Sequence, residues 1–295
     1  MIHQLNMNGM DKVQVAIERL KLLEPKEGYY LAFSGGKDSV VIKALADMAG
    51  VKYDAHYTLT SVDPPELVRF VKTFPDVIIE RPKDKDGNQI TMWNLIARKA
   101  MPPTSLVRYC CYYIKESGGD GRMTITGVRW AESARRKNNQ GEVTIMNPDK
   151  KTKEQMLEME GFKDTKKGGV VLNNDNVESR KMVEQCYKRS KTTVNPIIDW
   201  TDGEVWEFIH EYNVPYCELY DKGHKRLGCI GCPMSRKTQI EELEQRPKYK
   251  RAYMHAFKRM LENSKARGLN PSWANEQEVY DWWIGREKAN DQGTR

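Results

Sequence analysis

Tyr29-Tyr30-Leu31-Ala32-Phe33, then Ser34-Gly35-Gly36-Lys37-Asp38-Ser39, then Val40-Val41-Ile42-Lys43-Ala44-Leu45-Ala46 is the stretch that decides the fold. An apolar run, a paired-glycine turn and an amphipathic stretch read as strand, tight turn and helix. The start of such a helix offers unpaired backbone N–H groups to an anion, which is how a chain builds a phosphate pocket. The two glycines let the backbone approach closely, Lys37 adds a positive charge, and Asp38 and Ser39 can cap the helix. The loop is not a Walker A sequence, which spaces its Lys differently from the glycines.

Working outward, polar or Gly-rich segments follow two later strands. Tyr53-Asp54-Ala55-His56-Tyr57-Thr58 leads into Leu59-Thr60-Ser61-Val62-Asp63-Pro64-Pro65, and Pro64-Pro65 suit the first turn of a helix over Glu66 to Phe74. Asp76-Val77-Ile78-Ile79-Glu80 is a third strand, Met92 to Ala100 and 104–116 are helical, and Met123-Thr124-Ile125-Thr126-Gly127-Val128 is a fourth strand. The alternation predicts an α/β fold with a doubly wound, mostly parallel sheet. Ligands of such sheets sit beyond the carboxyl ends of the strands. That directs attention to Ser34–Ser39, to Thr58 and Asp63, and to Gly127-Val128-Arg129-Trp130-Ala131-Glu132-Ser133-Ala134-Arg135-Arg136. Arg129, Arg135 and Arg136 suit phosphate because a guanidinium donates two parallel hydrogen bonds. Asp38 and Asp63 are the carboxylates at these strand ends, and each can serve as a helix cap.

The remaining chain divides by composition. Residues 1–135 read as the nucleotide-binding domain. Residues 136–192 read as a basic insertion with little periodicity outside 152–160, 193–235 as the end of the core with a cysteine cluster, and 236–295 as a C-terminal helical region. Residues 150–191 hold eleven Lys or Arg against seven Asp or Glu, and residues 236–267 hold ten against four. Either segment can lie along a polyanion or form a solvated face. Trp273, Trp282 and Trp283 suit a helical core better than base stacking. The 295 residues carry a net charge of +7, 39 % hydrophobic and 30 % charged residues, and no apolar run near the roughly 18 needed to span a bilayer. No signal peptide is evident at Met1-Ile2-His3-Gln4-Leu5-Asn6, so a cytoplasmic location with no membrane partner is expected.

In that compartment clustered cysteines bind metal or do redox chemistry more often than they form disulfides. Cys229-Ile230-Gly231-Cys232 is a Cys-x-x-Cys, Cys110-Cys111 is an adjacent pair, Cys217 lies twelve residues before Cys229, and Cys186 reads as a bystander. Cys-x-x-Cys alone suits zinc, an iron–sulfur cluster or a metal-free dithiol.

Ser-Gly-Gly-x-Asp-Ser after a strand resembles the PP-loop signature of ATP pyrophosphatases, and Gly-x-Arg-x-x-Glu-Ser-x-x-Arg at Gly127–Arg136 resembles an element of the sulfonucleotide reductase branch. Adjacent cysteines followed by Cys-x-x-Cys are similar to the [4Fe–4S] ligation of adenylyl-sulfate reductases. One upstream cysteine plus three downstream is similar to the sulfur-insertion enzyme of DNA phosphorothioation. The likeness spans roughly residues 25–235 and is strongest to the phage and bacterial group called PAPS reductase-like. It implies an adenine nucleotide alpha hydrolase-like fold, ATP and Mg²⁺ on Ser34, Gly35, Gly36, Lys37, Asp38, Ser39, Thr58, Asp63, Gly127, Arg129, Glu132, Arg135 and Arg136, and catalysis by Lys37, Asp38 and Arg129. It also implies a [4Fe–4S] cluster, with zinc as the alternative, on four of Cys110, Cys111, Cys217, Cys229 and Cys232. Reductases of the branch act through a cysteine near the C-terminus, and no cysteine follows Cys232. The first expectation is therefore an ATP-dependent, pyrophosphate-releasing sulfurtransferase acting on a nucleic acid (DNA or tRNA) or nucleotide, a homo-oligomer served by a cysteine desulfurase or thioredoxin-like donor. The alternatives are a phosphoadenylyl- or adenylyl-sulfate reductase using an external thiol donor, and a non-catalytic nucleotide- and DNA-binding subunit with a structural metal site.

Overall fold

The computed structural model describes residues 1–6, 9–116, 118–166, 168–174, 183, 191–236 and 238–286. The fold is α/β, with a mixed sheet that is parallel through its core, and helices at the C-terminal end of the chain. Eight strands are ordered β3-β2-β1-β4-β8-β5-β7-β6. They are β1 Tyr29–Ala32, β2 Tyr53–Thr58, β3 Val77–Glu80, β4 Thr124–Ile125, β5 Val143–Met146, β6 Phe162–Asp164, β7 Val170–Leu172 and β8 Lys191–Val194. β1 runs parallel to β2 and β4, and β4 parallel to β8. β5, β6 and β7 then extend the sheet antiparallel from β8. Tyr29, Tyr30 and Leu31 are buried, as both-face burial of a central parallel strand requires.

The chain forms two compact units. The first comprises 1–57, 66–79 and 119–227. Its helices are α1 Lys12–Leu22, α2 Lys37–Ala49, α3 Pro65–Val71, α5 Ala134–Asn139, α6 Lys150–Leu157 and α7 Asp202–Glu211. α1 opens on a capping box in which the Asp11 side chain accepts from Gln14 N–H and the Gln14 side chain accepts from Asp11 N–H. The second unit comprises 58–65, 80–118 and 228–295. It holds α4 Met92–Arg98, α8 Gln239–Gln245, α9 Pro247–Ala266 and α10 Glu276–Trp283 around a core of Met92, Ile96, Tyr253, Phe257, Met260, Val279, Tyr280 and Trp283.

Several expectations change. The division does not follow 1–135, because residues 80–118 and the C-terminal helices share one core. Within 136–192 lie α5 from Ala134, α6 and strands β5 to β7; Val143-Thr144-Ile145 and Val170-Val171-Leu172 supply the apolar triplets that pair. Residues 104–108 are not helical: the Thr104 hydroxyl accepts from the N–H groups of Leu106 and Val107 at 3.3 and 2.9 Å, a local turn that competes with helix. The chain turns helical only at Tyr109-Cys110 and winds on as a π-helical turn over Cys111–Lys115. Trp283 is a core residue whose indole N–H donates to the Pro103 carbonyl at 2.7 Å, and Trp273 and Trp282 pack edge to face with ring centroids 5.0 Å apart. Cys186 lies outside the described residues.

Candidate nucleotide site and thiol cluster

The phosphate loop lies in the first unit, between buried β1 and α2. The N-cap of α2 is Gly36, which supplies no capping side chain, and with the N–H groups of Gly36, Lys37 and Ser39 already bonded, that of Asp38 is the first-turn donor left for an anion. Gly35 has φ +71°, and a Cβ there would stand 2.6 Å from Leu67 Cδ1 and 2.9 Å from Val71 Cγ2. Only glycine satisfies both conditions. Ser39 Oγ donates to the Gly36 carbonyl at 2.8 Å and Ser34 Oγ donates to Ser39 Oγ at 3.2 Å, closing the turn on itself. The Lys37 N–H donates to the Tyr220 hydroxyl at 2.8 Å, and burial pushes that phenol up to about 12, which keeps it neutral.

Four charged side chains meet behind the loop. Lys37 is 4 % exposed, and its ammonium lies 3.1 Å from Asp202 Oδ1 and 3.9 Å from Asp38 Oδ2. Arg129 is 2 % exposed; its Nε donates to Asp38 Oδ1 at 2.6 Å, one terminal nitrogen to Asp202 Oδ1 at 3.0 Å, and the other to the Trp200 carbonyl at 3.3 Å. Burial would raise the Asp202 carboxyl, but the hydrogen bond from Lys37 and the charge of Arg129 bring it below the usual carboxylate range. Two cations against two carboxylates satisfy the rule that buried charge is paired. Gly127 permits this arrangement, because a Cβ on it would come within 2.9 Å of Asp38 Cβ and 3.0 Å of its backbone.

The arginine segment builds the rim. Arg136 forms an ion pair with Glu132, whose other oxygen lies 3.9 Å from Arg226. Burial and then the like charge of Arg226 lower the Arg136 guanidinium, the response of cations crowded where an anion would relieve them. Arg135 is exposed on α5. Thus Ser34 to Ser39, Gly127, Arg129, Glu132 and Arg136 come together in one unit, and Arg129 serves to position Asp38 and Asp202. Asp202 and Tyr220 were not picked out from sequence. Asp202 follows the capping Thr201 and looks like an ordinary first-turn acid.

Thr58 and Asp63 fall in the second unit. There Asp63 is 7 % exposed, and one of its carboxylate oxygens accepts from Thr60 N–H at 2.6 Å, a bond back into the preceding loop and not a cap on α3. Among the described residues no group of three or more His, Cys, Asp or Glu is arranged to hold a metal.

Four of the five candidate cysteines, Cys110, Cys111, Cys229 and Cys232, belong to the second unit, and Cys217 is buried in the first. All five are free thiols. Cys110 and Cys111 share a hydrogen bond that raises the first thiol and lowers the second, with Lys115 and Arg108 adding to the fall. Cys110 also lies within the electrostatic reach of Cys229 and Cys232. The Cys229 thiol donates to Thr60 Oγ1 at 3.6 Å. Burial raises Cys232. Gly231, at φ +69°, makes the bend between the last two thiols. The donor chemistry suits a thiophilic metal or dithiol chemistry, with the thiols as neighbours and not as a closed ligand shell.

Residues 28–235 match the family model described as phosphoadenosine phosphosulfate reductase domain. Over 216 residues the chain is 28 % identical to an uncharacterized protein of Methanocaldococcus jannaschii, covering 68 % of this chain and 40 % of that protein. Over 61 residues it is 43 % identical to the adenosine 5'-phosphosulfate reductase of Oceanobacillus iheyensis, covering 17 % of this chain and 25 % of that enzyme. The matched stretch is thus less than half the length of each of these curated relatives. Among solved structures, phosphoadenylyl-sulfate reductase from Candida auris aligns with a TM-score of 0.42 at 15 % identity, over 77 % of this chain and 96 % of that one. No helix among the described residues is long and apolar enough to cross a membrane.

Proposed function

The chain belongs to the phosphoadenosine phosphosulfate reductase domain family, a branch of the ATP pyrophosphatase superfamily, and from that premise we propose that it is an adenylyl-sulfate reductase supplied with electrons by an external dithiol. The nucleotide's phosphates bind at the open start of α2, with Lys37 and Arg136 facing the added charge and Arg129 holding Asp38 and Asp202 in register. A dithiol reduces the sulfonyl group by two electrons, so that adenylyl sulfate and dithiol become AMP, sulfite and disulfide. The observation that carries the reading is the uncapped Gly36 turn above a buried, fully paired Lys37, joined to the 43 % identity with an adenosine 5'-phosphosulfate reductase. Electrostatic preorganisation of this kind needs no rearrangement when charge develops on the leaving phosphate. Cys110, Cys111, Cys229 and Cys232 are the residues that would hold an iron–sulfur cluster or zinc, and such a group would supply thiophilic binding in the second unit.

A second reading, ATP-dependent sulfur transfer to a nucleic acid, is favoured by one feature, Lys37-Asp38-Ser39 placed directly after the glycine pair. The two separate in one assay. Anaerobically purified protein is given adenylyl sulfate, or its 3'-phosphorylated form, with a dithiol, and in parallel ATP and Mg²⁺ with DNA or tRNA. Equimolar AMP and sulfite support the reductase. Pyrophosphate from ATP without sulfite from either sulfonucleotide overturns it in favour of sulfur transfer.

A further inference from the structure

The long helix α9 carries a charge pattern that the nucleotide chemistry does not use. Its buried face is Tyr253, Ala256, Phe257, Met260, Leu261 and Ser264, each 4 % exposed or less. The opposite face presents Lys248, Arg251, His255, Lys258, Arg259, Glu262 and Lys265, all exposed. At about 100° per residue these seven fall within an arc of about 120°, and at about 1.5 Å per residue they run for about 26 Å. Five are permanent cations and one is an acid. Among the described residues none of these five cations makes an ion pair, whereas Arg19, Lys37, Lys43, Arg122 and Arg129 of the first unit all do. Lys250 lies off this face, above the Tyr280 ring at 5.1 Å.

Acidic helices pack beside α9 without neutralising it. Glu242 accepts from Gly231 N–H and Thr238, Glu244 pairs with Arg286, Glu278 accepts from Ala274 N–H, and Asp281 accepts from Gln277. Each of these carboxylates is committed elsewhere. Glu262 is thus the one acid set within a row of five cations, which keeps a net positive charge.

We infer that the exposed face of α9 is a docking surface for the phosphate backbone of double-stranded nucleic acid, read without regard to sequence. Charge complementarity names the partner: a row of cations about 26 Å long matches a polymer carrying a negative charge at every few ångströms of its length. This face carries no Phe, Tyr or Trp and only His255 as a ring, which disfavours base stacking, the usual device for single strands. An anionic membrane is the poorer partner, since a helix lying on lipid must present its apolar face, and here that face is buried in the unit's own core. The inference is independent of which reaction the first unit performs.

The test is fluorescence anisotropy of a labelled DNA duplex of about 20 base pairs with the full chain, titrated across salt. Five phosphate contacts give a slope of log affinity against log salt of about −4.5, a loss of about 500-fold between about 50 and 200 mM. The variant Lys248→Gln/Arg251→Gln/Lys258→Gln/Arg259→Gln/Lys265→Gln is expected to bring the slope close to zero with helicity unchanged. If that variant does not fold, Lys258→Gln/Arg259→Gln decides instead, with an expected flattening of about 1.8. Slopes that do not change, no binding of duplex by the unaltered protein, or capture by phosphatidylserine vesicles with no duplex binding would each overturn the inference.

Discussion

The two compact units treat positive charge in opposite ways. In the first, Lys37 and Arg129 are almost wholly buried and share Asp38 and Asp202 between them. In the second, the cations of α9 stand in water with no carboxylate partner. Burial explains the difference: a desolvated charge is tolerated only when paired, while an exposed one needs no partner and gains little from having one. A buried pair therefore holds a site's geometry, and an unpaired exposed row remains available to a ligand. The comparison breaks if charges in the two units respond alike to removal.

The largest effect is expected for Arg129→Ala. It strips three hydrogen bonds from Asp38, Asp202 and the Trp200 carbonyl and leaves two carboxylates facing one lysine. Removing one partner of such a buried set costs about 3 kcal/mol, readable as a lower urea midpoint, with adenine-nucleotide binding lost as well. Arg129→Lys keeps the charge but not the fork, and is expected to recover only part of the loss. A cost for Arg129→Ala no larger than that of a surface substitution would mean that pairing does not hold the loop.

Gly35→Ala comes next and sharpens the same contrast on the backbone side. The new methyl would meet Leu67 and Val71 at φ +71°, whereas Gly50 has φ +68° with nothing within 4 Å. Both substitutions incur the left-handed penalty of about 1–2 kcal/mol, and only Gly35→Ala adds a clash. Thermal melts of the two variants side by side check this. Equal losses would show that Leu67 and Val71 yield, and that the loop is less tightly held than its packing suggests.

What was legible in the sequence follows from the range of the interactions involved. Ser34 to Ser39 could be read because strand, turn and helix start are contiguous and each local preference agrees with the next. Gly127, Arg129 and Glu132 could be read as a group from their place after a strand and from the family motif they resemble, although the role of Arg129 in gripping Asp38 could not. Asp202 was missed because it lies 164 positions after Asp38 in sequence numbering and looks like any acid in the first turn of a helix. The one available signal was its position at the start of a helix that follows a strand of the same sheet. Strands β5 to β7 were missed because each has only three or four residues, and Lys and Asn around them mask the pairing triplets. The split of residues 80–118 from the phosphate-loop unit rests on contacts with helices more than a hundred residues later, which periodicity does not register.

Acid stability gives a smaller effect and extends the comparison to carboxylates. Burial would raise Glu204, but the ammonium of Lys12 at 2.8 Å and the N–H of Thr201 at 2.8 Å lower it to about 2. A carboxyl depressed in the folded state stabilises fully above its unfolded value near 4.5, and that contribution is lost as pH falls from there toward 2. The amount is on the order of 1–3 kcal/mol. Urea midpoints at pH 7 and pH 3 are expected to converge for Glu204→Gln, which is also less stable at pH 7. Asp84 of the second unit is depressed too, first by its hydrogen bond from Arg98, but that partner is an exposed side chain. Asp84→Asn is therefore expected to leave the midpoint unmoved, since solvent and salt screen such pairs.

The smallest stability effect is expected on α9 itself. Lys258→Gln/Arg259→Gln removes two charges from a face that touches no protein partner, and glutamine forms helix about as readily as lysine or arginine. Each change is expected to stay within about 0.5 kcal/mol. Within the helix neither residue has a lysine or arginine three or four positions away, and both precede Glu262, Lys258 by four residues and Arg259 by three. Each single substitution therefore forfeits a weak attraction of roughly a few tenths of a kcal/mol. The two singles are thus expected to lower the midpoint slightly and in the same direction, measurable by urea titration at low salt and vanishing at high salt. A loss above about 1 kcal/mol from either single would mean that the row is built into the fold of the second unit and is not free for a partner.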